Sequence, residues 1–444
     1  MNILGVLKTY FLQDKVIMYS MLGTVWRILF APVSLYLISI KLTPELQGFY
    51  YLFFSIAGLQ QIAEVGFSHT LIQGISYEMN KVWFNNKRLE GCSDGIDNIV
   101  ETMRLGFFWY MLLALLCMLI VYPIGIFIMK DGAINIVSSE WFFPWSVFIS
   151  FFSLNLLFYP VNFFFEGIQE LKMIYKVRFV IQVFSSLFFI GLLFFDYGLL
   201  SIISFSVISF LVNLIVLFMP YKAIFINFIF KIPSKKFIRK ILNWQLKVGF
   251  VWCTGYLYWQ LPTIVIFSVL GPVISGQYSM TANLINSIMG VGQVFVKTKA
   301  AIIGHLRASN KILEAIDLYK KNCRLSYLIV VVGILLLFSI WIIFPSFSIF
   351  NRMFPFEQSL ILSLVFGINM ITINQAMFAR CSKEEPFFKL SIFVNIVFPI
   401  LLLACLYIAS NTWAIVFAFL LLHFIELFWG NLLFSRLINN LLKS

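Results

Sequence analysis

Long, uninterrupted apolar runs constrain the fold of this 444-residue chain more than any other feature. A membrane-spanning helix needs about 20 apolar residues, and twelve runs reach that length. Because they are continuously apolar rather than alternating, they predict helices and not the strands of an outer-membrane barrel. The sequence therefore predicts an all-α polytopic membrane protein. The runs lie near 16–40, 48–76, 104–129, 141–162, 178–196, 198–219, 246–268, 273–296, 325–345, 357–379, 386–408 and 411–434.

Composition excludes the main soluble classes. The chain is 61% hydrophobic and 11% charged, whereas a soluble domain is about 45–50% apolar and about 25% charged. A chain of this length would split into several soluble domains, and these charges are too few to cover their surfaces. We therefore exclude a soluble enzyme and a nucleic-acid-binding protein. Although the net charge is +13, we do not expect nucleic acid as a partner of this chain.

The positions of the basic residues explain that net charge. If the N-terminus is cytoplasmic, 28 of the 32 Lys and Arg residues fall in the two tails and the even-numbered connections. Lys41, Lys130 and Arg352 fall on the opposite side, and Arg27 lies inside a span. An excess of Lys and Arg in cytoplasmic loops is typical of membrane proteins. The distribution predicts that both termini are cytoplasmic.

One internal match divides the chain into two halves. Residues 42–50 and 270–278 share Leu, Pro, Gly and Tyr at identical spacing, and both copies connect an odd-numbered span to the next span. An even number of spans separates them, so the predicted repeat is parallel. We expect a six-helix lobe over 1–220, a basic cytoplasmic linker over 221–245 and a second six-helix lobe over 246–444.

The connection over residues 297–324 is basic and amphipathic. Its apolar residues recur near helical spacing between lysines and arginines, a pattern typical of a helix that lies on an anionic membrane surface. A solvated connecting helix is the alternative.

Ionisable residues inside spans are costly and are therefore functional candidates. Arg27 lies about 20 Å below the outer end of the first span, and Glu64 lies about 24 Å along the second. The two side chains are expected either to form a structural ion pair or to act in transport. Glu426, in the last span, is predicted to have no basic partner at its own depth. It would then be protonated, face water or bind a cation.

Uncharged amides are more frequent within the spans. Gln260, Asn283 and Asn286 are candidates to line an internal cavity, where amides would suit a hydroxyl-rich ligand such as a sugar. The alternative for each of them is a hydrogen bond that holds two helices together.

Motifs for several catalytic classes are absent from the sequence. It has no phosphate-binding loop, no His-Glu-x-x-His motif and no Cys-x-x-Cys motif, and its three histidines are scattered. We therefore expect no cofactor and no metal site. A secondary transporter, a flippase and a membrane enzyme with few charged groups remain open.

Several short motifs, taken in order, resemble Wzx-type polysaccharide flippases of the multidrug/oligosaccharidyl-lipid/polysaccharide exporter superfamily. They are Leu42 to Tyr51 with Glu64-Val65-Gly66-Phe67, then Glu166-Gly167 with Tyr175 and Arg178, and then Gln260 with Leu270-Gly271-Pro272, Gly276-Gln277 and Lys297-Thr298-Lys299. The matches cover about the first 320 residues. The resemblance implies two six-helix lobes that face each other across a central cavity, in a protein of the bacterial inner membrane.

The resemblance also implies a substrate and a mechanism. The substrate would be an undecaprenyl-pyrophosphate-linked oligosaccharide repeat unit of O-antigen or a related surface polysaccharide. It would move from the cytoplasmic to the periplasmic leaflet by ion-coupled alternating access, beside a polysaccharide polymerase and a chain-length regulator as possible partners. Two alternatives are a drug or small-solute antiporter of the same fold and a membrane enzyme that acts on polyprenyl sugars.

Residue roles follow from the resemblance together with the depth of each residue. Arg27 and Lys247 are the candidates to bind the pyrophosphate, and Gln260, Asn283 and Asn286 are the candidates to bind sugar. Glu64, at a position that is commonly acidic in the family, and Glu426 are the candidates for ion coupling.

Overall fold

The computed structural model describes residues 15–64, 66–85, 87–133, 136–229, 233–234, 253–381 and 385–443. The chain divides into two compact units, unit 1 (Met1–Cys253) and unit 2 (Thr254–Ser444). Most of the predicted linker over 221–245 and the site candidate Lys247 lie outside the described residues.

The described residues of unit 1 form helices and one hairpin. Its elements are α1 (Lys15–Lys41), α2 (Pro44–Ala57), α3 (Gln60–Glu64), α4 (Phe67–Glu78), β1 (Val82–Asn85), β2 (Arg88–Gly91), α5 (Ser93–Leu116), a π-helical turn (Cys117–Val121), α6 (Tyr122–Gly132), α7 (Ser138–Leu156), α8 (Tyr159–Gly167), α9 (Leu171–Phe194), a 3₁₀ turn (Gly198–Ile202), α10 (Ile203–Val212), a second π-helical turn (Asn213–Phe218) and α11 (Met219–Ile229).

Unit 2 is helical throughout its described residues. Its elements are α12 (Cys253–Trp259, which begins at the last residue of unit 1), α13 (Leu261–Leu270), α14 (Pro272–Lys297), α15 (Ala300–Ala308), α16 (Ile312–Ile343), α17 (Ser348–Asn351), α18 (Phe356–Arg380), α19 (Phe388–Ile408) and α20 (Thr412–Lys443).

The helical, membrane-spanning class is confirmed. In the described ranges, nine helices are long and apolar enough to cross a membrane, or ten if α12 and α13 form one bent span. The second predicted span is outside this set because breaks divide it into α2, α3 and α4, each shorter than 18 residues. The eighth corresponds to α14, which is long enough but carries many amide and hydroxyl side chains. The count of twelve and the repeat stay predictions.

Proline begins a helix in both copies of the predicted repeat. Pro44 opens α2, and the side chain of Thr43 caps that helix by accepting a hydrogen bond from the Leu46 amide at 3.2 Å. Pro272 opens α14 after Gly271, whose φ of 86° is easily adopted only by glycine. Proline suits the first turn because an amide hydrogen there has no partner within the helix.

The predicted break between the fifth and sixth spans is confirmed. Helix α9 ends at Phe194, and the next turn starts at Gly198. Between them Asp196 has a φ of 61° and forms an ion pair with Lys41 at 2.8 Å. This contact joins the ends of α1 and α9, which pack along their length in unit 1.

The hairpin of β1 and β2 was not expected from the hydropathy pattern, which placed only a connection there. Its strands pair antiparallel from Val82 with Gly91 to Asn85 with Arg88. Lys87 at its tip has a φ of 61°, and its Nζ donates to the carbonyl oxygen of Pro220 at 3.1 Å. The hairpin thereby holds the start of α11.

The amphipathic connection over 297–324 forms two helices. Residues 300–308 make α15, and the rest continues into α16 after Asn310. Arg307 is buried, its guanidinium lies 4.9 Å from the centre of the Phe378 ring, and its Nη1 donates to the Phe378 carbonyl at 2.8 Å. Therefore α15 is neither wholly solvated nor held only by the membrane surface, because Arg307 ties it to the end of α18.

Candidate functional site

Arg27 lies on the exposed side of α1. The adjacent residue Trp26 contacts α9, where its Nε1 donates to Ser186 Oγ at 2.7 Å. Arg27 itself is exposed, and its Nη2 reaches Thr24 Oγ1 at 3.5 Å, the long limit of a hydrogen bond. Its guanidinium thus keeps most of its donors for another ligand.

Glu64 lies where the second predicted span is broken. It ends α3, and Gly66, with a left-handed φ of 64°, precedes α4. The hydroxyl of the buried Tyr110 on α5 donates to Glu64 Oε1 at 2.7 Å. The described contacts therefore give Glu64 and Arg27 different partners, and the expected Arg27–Glu64 ion pair is not formed in this structure.

An aromatic cluster extends from Tyr110 toward a second acidic residue. The Tyr110 ring lies 5.5 Å from Tyr159 and 5.7 Å from Phe163, centre to centre. Tyr159 interacts electrostatically with both Glu64 and Arg178. Two motif residues of the family resemblance, Glu166 and Arg178, meet as an ion pair, and the Arg178 guanidinium lies 5.8 Å from the centre of the Tyr175 ring. In unit 1, a cluster of aromatic rings thus lies between Glu64 and the Glu166–Arg178 ion pair.

Glu426 has a basic partner, contrary to the expectation from the sequence. His423 lies one turn earlier on α20, and its Nδ1 is 2.5 Å from Glu426 Oε2. Both side chains are buried. A spacing of three residues places two side chains on the same face of a helix, so the sequence contained the signal for this pair.

Two other helices complete the network around this pair. Asn369 on α18 donates from its Nδ2 to Glu426 Oε1 at 3.3 Å and to Oε2 at 3.1 Å. The Tyr258 hydroxyl lies 2.8 Å from His423 Nε2. Tyr258 was not a site candidate, and nothing in the linear sequence brings α12, α18 and α20 together. We call Tyr258, Asn369, His423 and Glu426 the unit 2 network.

A cavity of about 310 Å³ within unit 2 borders this network. Of the three predicted sugar-binding amides, Asn286 lines it. Asn283 donates instead to the Ser279 carbonyl of its own helix at 2.8 Å, and Gln260 stands at the 42° bend between α12 and α13. The other polar and aromatic lining residues are Tyr258, Trp259, Gln293, Phe366 and Asn369. The structure thus brings Asn286, and neither of the other two amides, to this cavity.

Metal ligands do not cluster in the part of the chain that the structure describes. There, no group of three or more His, Cys, Asp or Glu side chains is arranged to hold a metal ion.

Comparison with known proteins agrees with this architecture. The model of the family described as "Polysaccharide biosynthesis protein" matches residues 14–303. No match was found among curated protein sequences.

Among solved structures, the chain is similar to an inward-facing multidrug resistance MATE family transporter of the MOP superfamily. The TM-score is 0.62 and the identity 12%, over 97% of this chain and 100% of the other. It is also similar to a Vibrio cholerae MATE transporter, with a TM-score of 0.53 and 12% identity over 97% of each chain.

A third similar structure is a MOP superfamily transporter from Pyrococcus furiosus, with a TM-score of 0.52 and 12% identity over 95% of each chain. At such identities these matches establish the fold alone, whereas the family model covers most of the sequence. The chain belongs to the polysaccharide biosynthesis protein family and has the fold of MOP superfamily transporters, which confirms its resemblance to Wzx-type flippases of that superfamily.

Proposed function

We propose that this protein is a flippase for lipid-linked oligosaccharides. It moves undecaprenyl-pyrophosphate-linked repeat units of O-antigen, or of a related surface polysaccharide, from the cytoplasmic to the periplasmic leaflet. The observation that carries this proposal is the family match over residues 14–303, on a chain with a MOP transporter fold. The proposal includes ion-coupled alternating access, in the bacterial inner membrane, with both termini in the cytoplasm.

The polar interior of the chain suits such cargo. A sugar hydroxyl that enters hydrocarbon without a partner costs several kcal/mol. In unit 2, Asn286, Gln293 and Asn369 offer amide donors and acceptors beside a cavity. The polyprenyl tail needs no such partners and can stay among the lipids while the saccharide crosses.

Arg27 is the proposed ligand for the pyrophosphate. Guanidinium groups bind phosphate oxygens in a bidentate manner, and Arg27 is exposed with one long hydrogen bond to Thr24. We propose Lys247 as a second ligand on its sequence position alone. Arg27→Ala should abolish polymer export at normal expression. Because Glu64 has Tyr110 as its partner, Glu64→Gln should not rescue Arg27→Ala, whereas a structural ion pair would permit rescue.

Glu64 and Glu426 are the proposed ion-coupling residues. Both oxygens of Glu426 accept hydrogen bonds from Asn369, and one of them also lies against His423 Nδ1. The Asn369 amide occupies lone pairs of both carboxylate oxygens that a metal cation would need, whereas carboxylates and imidazoles are both groups that exchange protons. This arrangement favours a proton over a metal ion as the coupling ion at Glu426.

A deletion strain tests the function directly. Loss of the gene should remove the surface polymer and leave undecaprenyl-linked repeat units accumulated on the cytoplasmic side, and a plasmid copy should restore export. Arg27→Ala in the same plasmid, at equal membrane abundance, is the matched control. Unchanged polymer in a strain without a redundant flippase would refute the proposal.

The same strain distinguishes a flippase from an antiporter of the same fold. The antiporter is the alternative because one of the similar solved structures is a multidrug resistance transporter. An antiporter predicts drug sensitivity on deletion with normal polymer. A flippase predicts lost polymer with unchanged drug tolerance. Crosslinking in the restored strain would then show whether the proposed polymerase and chain-length regulator are neighbours.

A further inference from the structure

The cavity in unit 2 has a mixed lining that suits one kind of ligand. Amides come from Asn286, Gln293 and Asn369, and aromatic rings with a polar atom come from Tyr258 and Trp259. Four apolar side chains complete the described lining, and none of these residues carries a formal charge. A site without a fixed charge does not offset the desolvation of a charged ligand, so it favours an uncharged one.

The chemistry of the lining narrows the ligand further. Each amide offers an acceptor oxygen and two N–H donors, which match hydroxyl groups that both donate and accept. Tyr and Trp offer an apolar face with one polar atom, which suits the C–H face of a pyranose ring. A volume of about 310 Å³ is at the lower end of the range for ligand pockets, so it suits one sugar ring rather than a whole repeat unit.

Two residues of this lining also hold the unit 2 network. Asn369 donates from its amide nitrogen to Glu426 and keeps its Oδ1 as an acceptor, and the Tyr258 hydroxyl is hydrogen-bonded to His423 Nε2. A sugar hydroxyl that binds Asn369 or Tyr258 therefore changes the hydrogen bonding of the buried His423–Glu426 pair. Occupancy of the cavity and the hydrogen bonding of that pair are thus linked through shared residues.

We propose that this cavity is a subsite for one uncharged sugar residue of the cargo, with Tyr258 and Asn369 as the link to the His423–Glu426 pair. This inference rests on the proposed flippase function, and it adds a ligand class and a position within unit 2. It also adds Trp259 and Gln293 as binding residues and Tyr258 and Asn369 as positioning residues.

Gly290 provides a position from which a larger side chain would enter the cavity. It lines the cavity on α14, and a Cβ added there would meet no atom within 4 Å. Leucine also favours a helix more than glycine does. Gly191 on α9 of unit 1 is the matched control, because a Cβ added there likewise meets nothing within 4 Å. At equal membrane abundance, Gly290→Leu should lower polymer export at least about tenfold, a loss equal to a tenfold weaker site, and Gly191→Leu should not.

Direct binding is the second measurement. The full-length protein in nanodiscs is mixed with methyl glucoside, methyl galactoside, N-acetylglucosamine or glucuronate at millimolar concentrations, and saturation-transfer NMR detects contact. At least one uncharged sugar should receive saturation from the wild-type protein and from Gly191→Leu, but not from Gly290→Leu. Glucuronate should receive less saturation from the wild-type protein than that uncharged sugar does. Asn369→Leu should weaken transport and also change its pH profile, which loss of a purely structural contact would not do.

The outcomes separate this inference from the proposed function. Normal export by Gly290→Leu overturns the subsite, whichever sugars the cargo contains. Equal saturation in wild type and Gly290→Leu, no saturation of any uncharged probe, or a preference for glucuronate also overturns it. If gene deletion leaves the polymer unchanged, the flippase proposal fails, and sugar binding that Gly290→Leu abolishes would still support the subsite.

Discussion

Replacement of Asn369 by leucine tests whether the unit 2 network holds helices together through a charged group. Asn369 on α18 makes two hydrogen bonds to the buried Glu426 on α20, at 3.1 and 3.3 Å. Leucine has a similar size but no donor, so the variant removes these bonds while it keeps the packing volume. The His423–Glu426 contact within α20 remains in the variant.

The expected magnitude follows from the kind of bond that is lost. Hydrogen bonds between membrane helices contribute about 0.6 kcal/mol on average and about 1.7 at most. Bonds to a charged group contribute about 1.5–3 kcal/mol, but those to Glu426 are long. We therefore expect a loss of about 1.5 kcal/mol in unfolding free energy. For a unit of this size, that loss lowers the unfolding temperature by about 3–6 °C.

A neutral pair on the same two helices supplies the control. Gln375 on α18 donates to Asn431 on α20 at 2.7 Å, so Gln375→Leu removes a shorter bond between uncharged groups. This variant should lose about 0.6 kcal/mol, or about 1–2 °C. Unfolding temperatures are measured by heating detergent-purified protein and following the monomer peak by fluorescence-detected size exclusion.

The Glu426→Gln background tests whether the carboxylate of Glu426 causes the larger loss of stability in Asn369→Leu. If the carboxylate accounts for the larger effect, Asn369→Leu should cost no more than Gln375→Leu when residue 426 is glutamine. An unchanged cost of Asn369→Leu in that background would show that the charge on Glu426 is irrelevant. Equal losses for Asn369→Leu and Gln375→Leu in the wild-type background would refute the reasoning as well.

Three further variants test single contacts. Tyr110→Phe removes the hydroxyl that donates to Glu64 at 2.7 Å and should reduce polymer export to the level of Glu64→Gln, measured at equal membrane abundance. Gly125→Ala would place a Cβ 2.3 Å from Cζ2 of the buried Trp145, so it should cost about 1–3 kcal/mol by thermal unfolding and be partly rescued by Trp145→Phe. Arg307→Ala leaves carbonyl groups at the end of α18 without their buried donor and should cost about 2 kcal/mol in the same assay, whereas an unchanged midpoint would show that α15 is held by other contacts.

The sequence predicted the helical, membrane-spanning class because hydropathy is a local property. The transition from Phe194 to Gly198 and the helix starts at Pro44 and Pro272 were readable from a few neighbouring residues. For the same reason the sequence did not predict the breaks after Ala57 and Glu64, since these positions lie inside an apolar run. The hairpin at 82–91 was also hidden, because a short polar connection has no periodicity long enough to identify strands.

The site was less predictable because its contacts join distant segments. Tyr110 and Glu64 are 46 residues apart, and Tyr258 and His423 are 165 apart. No spacing rule connects such positions in a single sequence. The pair His423–Glu426 is the exception, since its three-residue spacing alone places both groups on one face of α20.

The three ionisable site candidates that the structure describes fall into two kinds, and we propose that this difference places them in different steps of transport. Glu64 and Glu426 each accept short or multiple hydrogen bonds from buried partners, so their positions are fixed before any cargo arrives. Arg27 is exposed with one long bond, so it can reorient toward a phosphate. A fixed carboxylate suits proton exchange, and a mobile guanidinium suits capture of an anion. Arg27→Lys should therefore weaken the apparent affinity for lipid-linked cargo in proteoliposomes with little change in the pH profile, whereas Glu426→Gln should flatten the pH profile at unchanged affinity. The opposite pattern would exchange the two roles.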